Sequence, residues 1–155
     1  MLSTSKRLLI AVADGEHVRF VRPAADNALH GVASLDSVAA HKQSSDLGSD
    51  HPGASFHSDS TAHHAMAPRH DLHQLEKAKF ARIVADQLNQ ASTQDTFDEL
   101  LIVAPAHILA ELREHLDAST NAKVIGTLAK DLIKTPDDEL GPHLQEWVPP
   151  VHRAR

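Results

Sequence analysis

Thirteen histidines stand in this chain of 155 residues, and seven of them fall between His41 and His73. Imidazole beside carboxylate is zinc chemistry. His63 and His64 are adjacent, His70 and His73 are three apart, and Asp59 and Asp71 lie close by in sequence. Two histidines three apart share a helix face. His63, His64, His70 and His73 are therefore the metal candidates, and zinc or another divalent ion is what they would hold. Two facts weigh against a built site. Adjacent side chains point to opposite sides of an extended chain, and no His-Glu-x-x-His pattern occurs. The stretch "SSDLGSDHPGASFHSDSTAHHAMAPRHDLH", rich in Ser, Asp and His, reads as a long solvated loop, and no cofactor is expected.

Oxygen ligands for a hard ion such as Mg²⁺ are sparse in the places that matter. Asp14 ends the first apolar run, and Glu76 stands near the start of a helical segment. The later run "LLIVAP" carries no acid at its end. Asp14 in "ADGE" is better read as a turn residue. The chain has no cysteine, no Gly-x-Ser-x-Gly elbow and no Gly-rich phosphate loop. These observations point away from an enzyme, so no catalytic residue is assigned.

A third chemistry is phosphate contact by cations. Arg69, Lys77, Lys79 and Arg82 cluster within fourteen positions. The formal net charge is −6, and protonating all 13 histidines would turn it to +7. The basic footprint of a general DNA binder is missing, so no DNA is expected. The four cations are contact candidates for ribosome or structured RNA, against the plainer reading of a solvated helix face.

The elements that would position these residues follow from periodicity. Leu8 to Ala13 is continuously apolar, which suits a central strand covered on both faces. Asp14-Gly15-Glu16 is a hairpin turn. "HVRFVRP" alternates, with Val18 and Phe20 on one face and His17 and Arg19 on an exposed one. "LHGVASLD" is a weaker third strand, broken by Gly31. A helix is expected from Leu72 to Ala91, with Phe80, Val84 and Leu88 buried. "FDELLIVAP" is a second buried strand, "AKVIGTLA" a fifth, and Ile108, Leu109, Leu112 and Leu116 form a helical stripe between them. Thr135 is expected to cap a short acidic helix with Pro136 at its first position. The predicted fold is α/β. It is a mixed five-stranded sheet, a three-strand antiparallel meander followed by α-β-α-β-α, in the element order of the ribonuclease H-like fold.

A single domain spans 1–155, with the His/Ser/Asp-rich loop at about 41–72 and a Pro-interrupted tail at about 147–155. The loop offers little apolar surface to offset ordering entropy and is expected to be the most mobile part. The apolar run near the start is too short for a signal peptide, and no segment is long enough to span a membrane. A cytoplasmic protein is the expectation.

The segments "VADGEHVRFV", "DLGSDHPGASFHS", "FARIVADQLNQ", "FDELLIVAPAHILAELREHL" and "KDLIKTPDDEL" occur in that order. Together they resemble the bacterial host attachment protein family, whose members are described as required for attachment to host cells. That family is similar to the middle domain of eukaryotic and archaeal class-1 release factors. The resemblance implies a ribonuclease H-like fold and a link to translation. In release factors a Gly-Gly-Gln loop precedes the long helix. Here the 41–72 stretch holds that place with Gly48 and Gly53 but no Gly-Gly-Gln, so peptidyl-transfer RNA hydrolysis is not expected. The function expected is a non-enzymatic, release-factor-like domain that contacts ribosome or RNA. The alternatives are a factor acting directly in attachment and a metal-dependent hydrolase.

Overall fold

The computed structural model describes residues 6–38 and 69–151, with side chains in the second stretch from residue 72 onward. The elements are β1 (Leu8–Ala13), β2 (His17–Pro23), β3 (Leu29–Asp36), α1 (Arg69–Thr93), β4 (Glu99–Val103), α2 (Ala106–His115), α3 (Ala118–Asn121), β5 (Val124–Leu128) and α4 (Asp137–Leu140). A 3₁₀ turn, Gly141–Leu144, follows. The strand order is β3-β2-β1-β4-β5. β1 pairs antiparallel with β2 and parallel with β4, so the two continuously apolar strands lie side by side at the centre. β5 extends the parallel half and β3 the antiparallel half.

Each face of the sheet has its own cover. Leu9, Ala11 and Ala13 of β1, with Leu100 and Ile102 of β4, pack under Phe80, Val84 and Leu88 of α1 and Ile108 and Leu112 of α2. Leu8, Ile10 and Val12, with Leu101 and Val103, pack under Leu132, Leu140, Leu144 and Val148. That second cover is an irregular segment of short helices and turns. Continuous apolar runs in β1 and β4 are what two covered faces require.

Three local expectations change. α1 runs from Arg69 to Thr93, longer than the apolar stripe, because polar residues continue the helix at both ends. β3 is not broken at Gly31. The register passes from Phe20 opposite Ala33 to Val21 opposite Gly31, which leaves Val32 as the unpaired residue of a bulge. α4 has Pro136, not Thr135, at its N-cap and no side-chain cap hydrogen bond. Thr135 instead donates its N–H to the Leu132 carbonyl at 3.0 Å.

The N-terminal edge of β1 and β4 is tied by one arginine. Arg7 donates from its backbone N–H to Asp98 Oδ2 at 2.8 Å and from Nη2 to Asp98 Oδ1 at 3.0 Å. Its Nη1 reaches the Asp95 carbonyl at 2.8 Å. Asp95 accepts it from the left-handed region, at φ 59°. The Arg7 carbonyl in turn accepts the N–H groups of Asp98 and Glu99.

The side-chain and backbone hydrogen bonds from Arg7 hold the Asp98 carboxyl at about 2, below its ordinary 3.8. A depressed folded value adds stability above the unfolded value and loses it as pH falls toward the folded one. Urea midpoints of wild type and Asp98→Asn should therefore differ near neutral pH and converge as pH falls from about 4 to about 2.

Two glycines make opposite predictions. A Cβ on Gly126 would lie 2.2 Å from Nε1 of Trp147, whereas one on Gly141 would meet nothing within 4 Å. Gly126→Ala should cost about 1–3 kcal/mol in denaturant melts through overpacking. Gly141→Ala, with φ −49° and ψ −49°, should leave stability unchanged or raise it by about 0.4–1 kcal/mol.

Candidate functional site

In a sheet with parallel strands, sites gather at the carboxyl ends of those strands. That edge is formed here by Asp14 after β1, the β4–α2 junction and the residues after β5. α1 begins there as well, because its Lys77 lies against Gly15. A Cβ at Gly15 would sit 2.5 Å from Lys77 Cγ. Gly15 has no positive φ, so the close passage of the lysine stem, and not backbone geometry, requires glycine at this position.

Asp14 is occupied by the turn it terminates. Its Oδ1 accepts the N–H of Glu16 at 2.8 Å and of His17 at 2.6 Å. Its own N–H donates to the His17 carbonyl at 2.9 Å. Glu76 lies on α1, half-exposed, 3.9 Å from Lys79 Nζ. Among the described residues, Glu111, Glu114 and His115 of α2 are three possible ligands with their atoms within 4.8 Å of one another. They share one helix surface, with His115 Nε2 3.6 Å from Glu111 Oε2 as an i, i+4 pair.

His63 and His64 lie outside the described residues, as does most of the 41–72 loop. Arg69 and His70 open α1, with their side chains also outside the description, and His73 is exposed on the helix. The three remaining cations divide. Lys77 is in line with Ala81, Val84 and Leu88, the buried stripe of α1, and is half-buried over the β1–β2 turn. Lys79 and Arg82 are exposed and three apart, so they share a solvent-facing side. Between the second and third turns of α1 and the start of α2, a cleft of about 450 Å³ is lined by Gln74, Leu75, Lys77, His107, Ile108 and Glu111.

Sequence reasoning missed Arg19. Its alternation with Val18 and Phe20 gave an exposed face, yet its side chain is 20 % exposed. The face that β2 turns away from α1 is covered by the C-terminal segment. The Arg19 guanidinium donates to the carbonyls of Leu132, Ile133 and Thr135, and its Nε lies 3.5 Å from Asp137 Oδ1. Asp137 Oδ2 also accepts the Gly31 N–H at 2.9 Å. Arg19 thus stands in the cleft of about 560 Å³ rimmed by Asp14, Glu16, Asp36, Asp131 and Lys134. Its two Nη groups are spent on carbonyls and its buried Nε faces Asp137 without a hydrogen bond, which makes it a structural brace. The alternation of β2 carried no signal for this, because the pairing of Arg19 with buried Val12 exists only once β1 and β2 are aligned.

A central parallel pair, a preceding antiparallel meander and a long helix opening at the carboxyl edge make up one matched unit. The family model described as "Protein required for attachment to host cells" matches residues 9–144. The chain belongs to that family. No curated protein matches the chain. The attachment-family span runs from within β1 to the last residue of the 3₁₀ turn, so it includes Asp14, Arg19, Lys77, Lys79 and Arg82. None of the described helices of this attachment-family member is long and apolar enough to cross a membrane.

Replacing Arg19 with Met keeps the bulk and removes every donor. Three carbonyls and the Asp137 carboxylate then lose a charged partner. Urea denaturation should show a loss of about 2–3 kcal/mol. A cycle with Asp137→Ala should be non-additive, because the two side chains belong to one network.

Proposed function

We propose that this attachment-family protein is a non-enzymatic binding domain that contacts RNA, in the ribosome above all, through the exposed side of α1. The observation that carries the reading is the placement of Lys79 and Arg82. They are three apart on a solvent-facing side of the helix, and Lys77 is turned away from them toward the β1–β2 turn. Paired exposed cations on a rigid helix can meet two phosphates without rearrangement. The resemblance to the middle domain of class-1 release factors supports the same reading. So does the strand order, which is compatible with a ribonuclease H-like arrangement. In this reading the domain works without a cofactor and in the cytoplasm, and the missing Gly-Gly-Gln leaves it without peptidyl-transfer RNA hydrolysis. The hydrolase alternative has less support, since Asp14 Oδ1 is already held by two backbone N–H groups.

The family description supports a second reading, direct action in attachment to host cells. Ribosome co-sedimentation separates the two. Lys79→Glu with Arg82→Glu should weaken binding and lower the slope of log affinity against log salt by about 2, one for each phosphate that is no longer neutralised. Lys130→Glu with Lys134→Glu, also at exposed positions, should have a smaller effect. Circular dichroism should be unchanged in both. Equal weakening by the two pairs, or binding indifferent to salt, would remove α1 as the contact surface. Failure of the wild type to co-sediment would favour the attachment reading.

A further inference from the structure

The opposite edge of the sheet, at the amino ends of β1 and β4, carries a cleft of about 530 Å³. This is within the range of small-ligand sites. Lys6, Arg7, Arg22, Glu99 and Trp147 are among its walls. Cations outnumber acids there by three to one on a chain whose formal net charge is −6.

The three cations are not equivalent. Arg7 is committed, with Nε, Nη1 and Nη2 all donating to Asp95 or Asp98. Arg22 donates only Nη2, to the Thr96 carbonyl at 2.8 Å. Among the described residues its Nε and Nη1 have no acceptor, and no carboxylate pairs with it or with Lys6. Burial, and then the neighbouring charge of Arg7, push the Arg22 guanidinium below its ordinary value. An oxyanion in the cleft would oppose both effects, since its negative charge favours the charged guanidinium. A guanidinium fork fits two oxygens of a phosphate, and an ammonium adds a point charge.

The aromatic wall is fixed in place. The indole edge of Trp147 packs on the Gly126 backbone, and Val148 beside it is buried in the second core. A flat ring held at the rim of a cationic cleft is a stacking surface for a base.

We propose that this cleft binds a nucleoside monophosphate or a ligand of that class, with Arg22 and Lys6 on the phosphate and Trp147 against the attached ring. Lys6 and Trp147 lie outside the span matched to the attachment family, and the site is on the edge away from the start of α1. It therefore stands or falls separately from the RNA reading.

Trp147 is the chain's one tryptophan, so it reports on its own cleft. The intact protein is titrated with AMP, inorganic phosphate and adenosine, with indole excited at the red edge of its absorption. AMP should give a saturable change in emission. Phosphate should need at least about tenfold more, and adenosine should give none over the same range. Arg22→Gln and Lys6→Gln should each weaken AMP about tenfold, the effect expected for one charged hydrogen bond. Circular dichroism controls for folding, and the exposed Lys6 decides the matter if Arg22→Gln does not fold. No response to AMP, adenosine as effective as AMP, phosphate as tight as AMP, or unchanged affinity in the folded variants would each overturn the proposal.

Discussion

The parallel pairing of β1 with β4 is the constraint on which the other elements depend. Parallel neighbours cannot be joined by a short turn, and here two further strands and a long helix intervene. Their register is set at the open end by a ring of hydrogen bonds, in which Arg7 and Asp98 exchange backbone and side-chain contacts over 91 residues of separation. The pair is exposed, so its contribution to stability is small. Its role is geometric. A slip by one residue would turn Leu100 and Ile102 away from α1 and bring Leu101 and Val103 toward it. With β4 fixed, α1 must cross one face, and the chain after β5 must close the other.

The central strands were legible because their signal is local and unambiguous. Leu8 to Ala13 has no polar residue, and its six-residue length and the Asp14-Gly15 turn that ends it favour a strand covered on both sides. The cover on the second face was not legible. Leu132, Leu140, Leu144 and Val148 fall at multiples of four, but Pro136, Pro142 and the turns between them break any continuous helix that would carry the period, so nothing marks them as one layer. Arg19 followed from the same blind spot. An alternating strand reports that its two faces differ, but not whether a later segment lies over the polar one. Lys77 is a different case. Its alignment with Ala81, Val84 and Leu88 was present in the helical period. Grouping it with Lys79 and Arg82 by nearness in sequence ignored the direction in which a helix sends each side chain.

The charge of the described residues is arranged by edge. At the carboxyl ends of the parallel strands, carboxylates rim the cleft that contains Arg19, and that arginine is engaged with carbonyls of its own chain. At the amino ends, Arg22 and Lys6 face a cleft with donors to spare. One arginine on each edge is thus used in opposite ways. The difference comes from what covers it. Arg19 lies beneath a turn that presents carbonyl oxygens, whereas Arg22 lies beside a second guanidinium.

Asp137 has a consequence at the sheet's margin. β3 is an outer strand, and such strands present unpaired N–H and C=O groups that can recruit a foreign strand. The Gly31 N–H is instead taken by the Asp137 carboxylate, which is itself held near Arg19. An incoming strand would meet a negative charge where it needs to place a carbonyl. The same side chain that fastens the C-terminal segment to the domain therefore guards its border against self-association through β3.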